Sequence, residues 1–376
     1  MKVKKYMNLH EHKRIIISGG GTGGHIFPAI SVANALRRLE PATEILFVGA
    51  EGRMEMEKVP DAGYKIIGLP VEGLKRKFTP QNFRVMIKFF KSVALARKII
   101  TDFRPDAVVG VGGYASGPVL WQAGRMGIPV LIQEQNGYAG VTNKFLARKA
   151  DTICVAYDGM EKYFPAAKII KTGNPVRQSF ENIAEVREEA IQFFGLEKDK
   201  PVILVLGGSL GAGSINTCLS DNIEVLGNSG VQWLWQSGKY YNDRVSSLVA
   251  GSGFKNIFVN AFINRMDYAF SAAELIVSRA GAGTISELCL AGKPVILVPS
   301  PNVAEDHQTK NAKALADKGA AILISDRLAG TSLVKEALEL VRDAERKKVL
   351  SEKISQMAER DADIRIAKEV LRLAGR

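Results

Sequence analysis

The sequence predicts an α/β fold of two doubly wound, parallel-sheet domains facing each other across a cleft, and three observations carry that expectation. Short apolar, β-branched runs alternate with longer amphipathic stretches. The alternation breaks at "TGNPVR" (172–177) and then begins again. Each series places a glycine-rich turn directly after its first apolar run. With 376 residues the chain is long enough for two domains of ordinary size, each burying its own core.

In the first series, "RIIIS" (14–18), "EILFVG" (44–49), "AVVGVGG" (107–113), "PVLIQEQN" (129–136) and "TICVAY" (152–157) read as buried parallel strands. The stretches between them read as helices. After the opening turn, Pro28 suits the first turn of a helix, and Ile30, Ala33, Leu36 and Leu39 recur at helical spacing with Arg37 and Arg38 facing out. In the second series, "PVILVLGGS" (201–209), "VQWLWQSG" (231–238), "IFVNAFI" (257–263), "LIVSRAG" (275–281), "PVILVPS" (294–300) and "AAILIS" (320–325) are the strands. From about 332 onward the chain reads as helical throughout. Each series specifies a Rossmann-like domain with its ligand at the carboxyl ends of the strands, and "TGNPVR" lies near the hinge.

Hydrophobic residues at 46% and charged residues at 24% exclude a disordered chain. Cys154, Cys218 and Cys289 are far apart and form no C-x-x-C pair, so they read as small buried thiols of a reducing compartment. The charged N-terminus lacks the apolar core of a signal peptide, and no run of about 18 apolar residues follows it. A cytoplasmic protein is expected. The net charge of +12, from 51 Lys+Arg against 39 Asp+Glu, favours a polyanionic partner: nucleic acid, anionic lipid or a nucleotide substrate. The stretch from Lys75 to Lys98 carries eight basic residues and no acidic one, interleaved with Phe78, Phe83, Met86, Ile87, Phe89 and Phe90. A basic amphipathic helix of this kind rests on an anionic membrane surface, or else turns its apolar face to the core and leaves its lysines in water. No RNA-binding or helix-turn-helix signature accompanies it, so nucleic acid is not expected as a partner.

The turn "SGGGTGGHIFPAIS" (18–31) places Gly19, Gly21 and Gly24 at G-x-G-x-x-G spacing between a strand and a helix, the setting for a phosphate at a helix N-terminus. A nicotinamide cofactor also needs an acidic residue at the end of the second strand. Gly49 and Ala50 stand there, with Glu51 just beyond, which weakens that reading. His25, at the mouth of the turn, is a candidate general base because an imidazole titrates near neutral pH. "GVGGYASGP" (110–118) and "GGSLGAGSIN" (207–216) offer further backbone N–H groups to an anion, or serve only as tight turns. In "SRAGAGTISE" (278–287), Thr284 and Ser286 are candidate caps. Glu287 there either complements the helix dipole or accepts from two neighbouring sugar hydroxyls. "EDHQTKNA" (305–312) is a polar loop suited to a sugar or simply to solvent. There is no G-K-[ST] loop and no cluster at metal-ligand spacing. Asp361 and Asp363 read as a solvated helix face. A departing diphosphate would therefore be stabilised by backbone amides, a helix N-terminus and an arginine, with no metal and no cofactor.

Taken in order, "GGGTGGHIFPA", "GVGGYASGP", "QEQNGYAGVTN" (133–143), "TGNPVR", "GGSLGAGSIN", "QSGK" (236–239), "SRAGAGTISE" and "DHQTKNA" (306–312) resemble the MurG family across about 14–376. Its members are UDP-N-acetylglucosamine:undecaprenyl-pyrophosphoryl-N-acetylmuramoyl-pentapeptide N-acetylglucosaminyltransferases of peptidoglycan synthesis. The resemblance implies a GT-B fold with an acceptor-binding, membrane-associating domain over 1–176 and a donor-binding domain over 177–361. A final helix, about 362–376, is expected to pack back on the first domain. It implies inverting transfer from UDP-N-acetylglucosamine (UDP-GlcNAc) to the C4 hydroxyl of the acceptor, lipid I, on the cytoplasmic face of the bacterial inner membrane. Other cell-wall synthesis proteins are a further class of partner that it admits.

By that resemblance Phe262 and Ile263 meet the uracil, Glu287 the ribose, and Ser209 and its loop the diphosphate, with Ala282, Gly283 and Thr284 lining the same pocket. Gln308 and Asn136 touch the transferred sugar, and Arg177 lies near the diphosphate. Thr22, Gly23, Gly24, Tyr114 and Asn143 belong to the substrate site. His25 is the first choice for the base and Glu134 the second. Two departures stand out: Gln133 takes a position where some members have histidine, and His307 one where some have a second glutamine. The rival readings are another GT-B enzyme with a different acceptor, an NAD-dependent oxidoreductase, which NADH fluorescence would reveal, and a non-catalytic lipid-binding module, which would bind liposomes without transferring sugar.

Overall fold

The computed structural model describes residues 12–72, 81–176, 180, 183–208, 210–303 and 306–375, with only the helix backbone at 81–84. Contacts divide the chain into two compact units, Met1–Arg177 with Asp361–Arg376, and Gln178–Arg360.

The first unit is built on seven parallel strands: β1 (Arg14–Ser18), β2 (Glu44–Ala50), β3 (Lys65–Leu69), β4 (Ala107–Gly110), β5 (Val130–Glu134), β6 (Thr152–Val155) and β7 (Ile169–Lys171). Their spatial order is β3-β2-β1-β4-β5-β6-β7. Central strands covered by helices on both faces need apolar residues at every position, and Ile15, Ile16, Ile17, Val108 and Val109 are all fully buried. The two edge strands were missed by the sequence reading. β3 is half exposed in alternation and β7 is three residues long, so neither shows a continuous apolar run.

The second unit repeats the design with β8 (Val202–Leu206), β9 (Gln232–Gln236), β10 (Ile257–Asn260), β11 (Leu275–Ser278), β12 (Val295–Leu297) and β13 (Ile322–Leu323), ordered β10-β9-β8-β11-β12-β13. Trp233 and Trp235 on β9 are its largest buried side chains, and Trp235 Nε1–H donates to Asn216 Oδ1 at 2.9 Å, so the indole enters the core with its polar atom paired. In both units the order reverses between the first strand and its neighbour, β1 against β4 and β8 against β11. At such a switch point the loops leave in opposite directions and open a crevice at the carboxyl ends.

Three helical expectations need correction. The helix after the opening turn starts at Gly23 and runs to Leu39, which puts Pro28 in its second turn, and Leu39 is exposed. Its buried face is instead Ile26, Ala29, Val32, Ala33 and Leu36. The C-terminal stretch is not continuous: it forms the helices Ala329–Arg342, Ala344–Ser355 and Ala362–Ala374. Asp343 caps the second of these by accepting the Arg346 N–H at 3.0 Å. The last helix packs Ile366, Ala367, Val370 and Leu373 into the same cluster as Gly23–Leu39 and β1. Asp363 is therefore no solvated residue. It is buried and paired with Arg38 at 2.6 Å, and loss of water outweighs the guanidinium in raising its carboxyl above the ordinary range. Among the described residues no helix is long and apolar enough to cross a membrane.

Candidate active site

In the first unit, the turn after β1 and the turn after β4 meet at the switch point. Gly113 has φ +88°, and a Cβ there would come within 2.3 Å of the Gly20 carbonyl oxygen. Only two bare backbones fit so closely, which explains why both turns are glycine-rich. The helix Gly23–Leu39 starts from this junction with Thr22 at its N-cap. Thr22 does not cap with its side chain; its carbonyl accepts the His25 and Ile26 N–H groups at 3.1 and 3.2 Å. The first amides of the helix, Gly23 and Gly24 among them, thus have no partner within the helix, the arrangement that binds an anion.

The His25 ring lies against Gly112, where a Cβ would meet Nε2 and Cδ2 at 2.8 Å. One ring N–H is donated to the Gly20 carbonyl, and Nδ1 is 3.3 Å from Thr22 Oγ1. Part of the residue remains exposed, yet the atoms packed around the ring remove enough water to lower its pKa below the ordinary 6.5. The Gly20 bond and the Glu55 charge oppose that shift and do not reverse it. Tyr114, on the second turn, is 56% exposed and available to a ligand.

Glu134, the second candidate for the base, is placed differently. Its carboxylate is buried, and four N–H donors converge on it: Asn136 N at 3.1 Å, Asn136 Nδ2 at 3.4 Å, Gly140 N at 3.0 Å and Asn143 Nδ2 at 2.8 Å. A carboxylate has about four lone-pair directions, so this one is occupied as the anchor of the loop 134–143. Asn143 is likewise buried and faces Glu134, while Asn136 at the loop's start stays half-buried. Gln133 donates to Asn174 Oδ1 at 3.2 Å, and Asn174 Nδ2 donates to the Gln135 carbonyl at 3.0 Å. Gln135 in turn bonds Gln133 and the Val111 carbonyl. This buried amide network ties "TGNP" to the ends of β4 and β5, and Gln135 and Asn174 had no individual signal in the sequence.

In the second unit, the loop after β8 interlocks with the loop after β9. A Cβ on Gly238 would lie 2.1 Å from Gly211 N. Gln236 Oε1 accepts the Ile263 N–H at 2.9 Å, so the Ile263 amide is already engaged, and Phe262 beside it is half-buried. The helix Ala282–Ala291 begins directly after the β11 loop, with Gly281 as its N-cap. Ala282, Gly283 and Thr284 form its first turn. Thr284 and Ser286 are not caps, since both lie within the helix and Ser286 Oγ donates to the Ala282 carbonyl at 3.2 Å. Glu287 sits one turn further on, half-buried. Gln308 Oε1 accepts from Ala280 N at 3.3 Å and Ser300 N at 2.9 Å, which fixes the amide and turns its NH2 away from those loops.

Arg279 is a residue the sequence reading did not single out. Its guanidinium bonds the Val298 carbonyl, Asp326 and Ser214, bracing the ends of β11 and β12 against the helix Gly213–Asp221. Arg177 and Ser209 lie outside the described residues.

The helix Gln81–Phe103 has one face in the core and one exposed, as far as its described side chains go. Val85, Ser92, Ala96, Ile99 and Ile100 face the core, whereas Met86, Ile87, Phe89 and Phe90 are exposed beside Lys91, Arg97 and Lys98. Lys88 is paired with Glu72. Lys75, Arg76, Lys77 and Phe78 lie outside the described residues, as do the side chains of Phe83 and Arg84.

Two doubly wound units, each with glycine turns at its switch point, are the architecture of the GT-B class. Residues 15–155 match the glycosyltransferase family 28 N-terminal domain, and residues 202–366 match the family 28 C-terminal domain. A protein of Parabacteroides distasonis named "UDP-N-acetylglucosamine--N-acetylmuramyl-(pentapeptide) pyrophosphoryl-undecaprenol N-acetylglucosamine transferase" is 58% identical over 360 residues, covering 96% of this chain and 98% of its own. One of the same name from Bacteroides fragilis is 59% identical over 363 residues, covering 96% of each. The crystal structure of Acinetobacter baumannii MurG is 30% identical with a TM-score of 0.73, covering 96% of this chain and 99% of that one. The chain belongs to glycosyltransferase family 28 and, within it, to the MurG family.

Proposed function

We propose that this chain transfers N-acetylglucosamine from UDP-GlcNAc, with inversion, to the C4 hydroxyl of the N-acetylmuramoyl unit of undecaprenyl-pyrophosphoryl-N-acetylmuramoyl-pentapeptide, forming lipid II and UDP. The observation that carries this reading is the 58% identity to a transferase of that name over 96% of the chain. Anion-binding amides at both switch points support it, because donor and acceptor each carry a diphosphate.

In this reading the second unit holds the donor. The first-turn amides of Ala282–Ala291, with the loop that carries Ser209, receive the diphosphate; Arg177 assists it; Glu287 takes the ribose hydroxyls; and the backbone around Phe262 and Ile263 meets the uracil. Gln308 offers its NH2 to the transferred sugar, as does Asn136. The first unit holds the acceptor pyrophosphate at Thr22, Gly23, Gly24 and Tyr114. The unprotonated nitrogen of His25 takes the C4 hydroxyl proton as that oxygen attacks the anomeric carbon. The bond to UDP breaks on the opposite face, and the electron pair leaves on the diphosphate, where fixed amides stabilise it. The exposed apolar and basic face of Gln81–Phe103 brings the unit to the anionic cytoplasmic leaflet of the inner membrane.

Incubating the purified protein with UDP-GlcNAc and a short-chain lipid I analogue, and following UDP and disaccharide by mass spectrometry, tests the assignment. A β1,4-linked disaccharide is expected. UDP release without disaccharide, or donor binding without any reaction, would overturn the acceptor assignment.

A further inference from the structure

Glu55 carries a buried carboxylate that the transfer chemistry does not account for. It opens the helix Glu55–Asp61 and is 1% exposed, directly beneath the first glycine turn. Its Oε2 accepts the Gly21 N–H at 2.9 Å and its Oε1 accepts the Ala50 N–H at 3.0 Å. A carboxylate serving only its own helix would bond the first-turn amides of that helix. This one reaches outward, to the turn after β1 and to the end of β2. The space is made for it by glycine: a Cβ on Gly20 would lie 2.1 Å from Oε1, and one on Gly49 would lie 2.6 Å from Cγ.

We propose that Glu55 is a positioning residue for His25: by clamping Gly20 and Gly21 to β2 it fixes the carbonyl that orients the imidazole, and its charge faces the imidazolium formed when the acceptor hydroxyl is deprotonated. The proposal rests on the reading of His25 as the base. The other walls of the ring are the Gly112 backbone and the Thr22 hydroxyl. Glu55 is the charged group acting on the ring among the described residues. Its carboxylate strengthens the base against the desolvation that weakens it.

Glu55→Gln removes the charge and sets an NH2 against one of the two amides. Turnover is expected to fall about 10- to 100-fold with the KM for UDP-GlcNAc unchanged. The acid limb of kcat/KM, and the His25 titration followed by NMR, should both move to lower pH. Glu55→Asp keeps the charge but is one methylene too short to span both amides. Its turnover should fall with little movement of the acid limb. A folded Gln variant with parental kcat, or with an unmoved His25 titration, overturns the proposal. If the Gln variant does not fold, parental turnover in the Asp variant does the same. The His25 titration and the Gly21 amide resonance are read without turnover, so they decide the clamp even if His25→Ala stays active and the base assignment alone falls.

Discussion

His25 joins two properties that a base at neutral pH needs: an environment that keeps it unprotonated and a ring held in one orientation. Burial lowers its pKa below 6.5, so the ring is neutral at pH 7, and turnover should fall only as pH drops through a midpoint below 6.5. A kcat/KM profile with its acid limb above 6.5 would contradict this. The same shift acts on stability with a definite sign. The unfolded chain takes up this proton first, so the group's contribution is lost as pH falls below about 6.5 and is constant above it. His25→Ala should lower turnover about 100-fold or more while UDP-GlcNAc still binds; turnover near that of the parent excludes it as the base. At Gln308 the amide oxygen is already used by Ala280 and Ser300, leaving only the NH2 for substrate. Gln308→Glu should preserve those two bonds and weaken donor binding about tenfold, which titration calorimetry with UDP-GlcNAc would register. His25 was legible in the sequence because it stands inside a motif of recognisable spacing. Glu55 was not, because its partners are the amides of Ala50 and Gly21, 5 and 34 residues away. Glu134 was legible as a polar residue at a strand end, but its role depended on four donors that no pattern announces.

The elements most easily read were those whose burial is continuous. β1, β4, β8 and β11 stand at the centres of their sheets and wrote unbroken apolar runs, while β3 and β7 lie at edges where one side meets water. Helix termini were harder to read than helix faces. Gly23 begins its helix five residues before Pro28 because Thr22 supplies the N-cap backbone geometry without any side-chain cap. The final helix shows how one element serves a distant part of the chain. Its buried stripe completes the core of the first unit, so Ile366→Ala should destabilise that unit by about 2–5 kcal/mol, as chemical denaturation would measure. A loss under about 0.5 kcal/mol would mean that the helix does not dock in solution. The paired glycine turns make a sharper case. Gly113→Ala forces a side chain into a left-handed backbone and against the Gly20 carbonyl, so it should cost more than about 1 kcal/mol and reduce turnover together. Stability lost with turnover intact would separate the junction from catalysis.

At the scale of the whole molecule, the proposed membrane docking would draw on the excess of positive charge and on the exposed apolar face through different forces. A net charge of +12 attracts an anionic surface over about a Debye length and weakens as salt rises. Apolar side chains act only on contact, and salt does not screen them. Phe90 is 64% exposed and Met86 53%, on a helix whose other face is committed to the core. The apolar side chains should therefore control how firmly the protein stays, and the charges how fast and at what salt it arrives. Replacing Phe89 and Phe90 by Ser should abolish co-sedimentation with vesicles of phosphatidylglycerol and phosphatidylcholine at physiological salt. Reversing Lys91 should leave binding at low salt and lose it as salt is raised; Lys88 is a poorer probe, because Glu72 already offsets its charge. In both variants turnover of a short-chain, water-soluble acceptor should match the parent, since neither change reaches the glycine turns. Unchanged sedimentation of the Phe89 and Phe90 double variant would refute membrane docking by this helix and leave its exposed face without a lipid role.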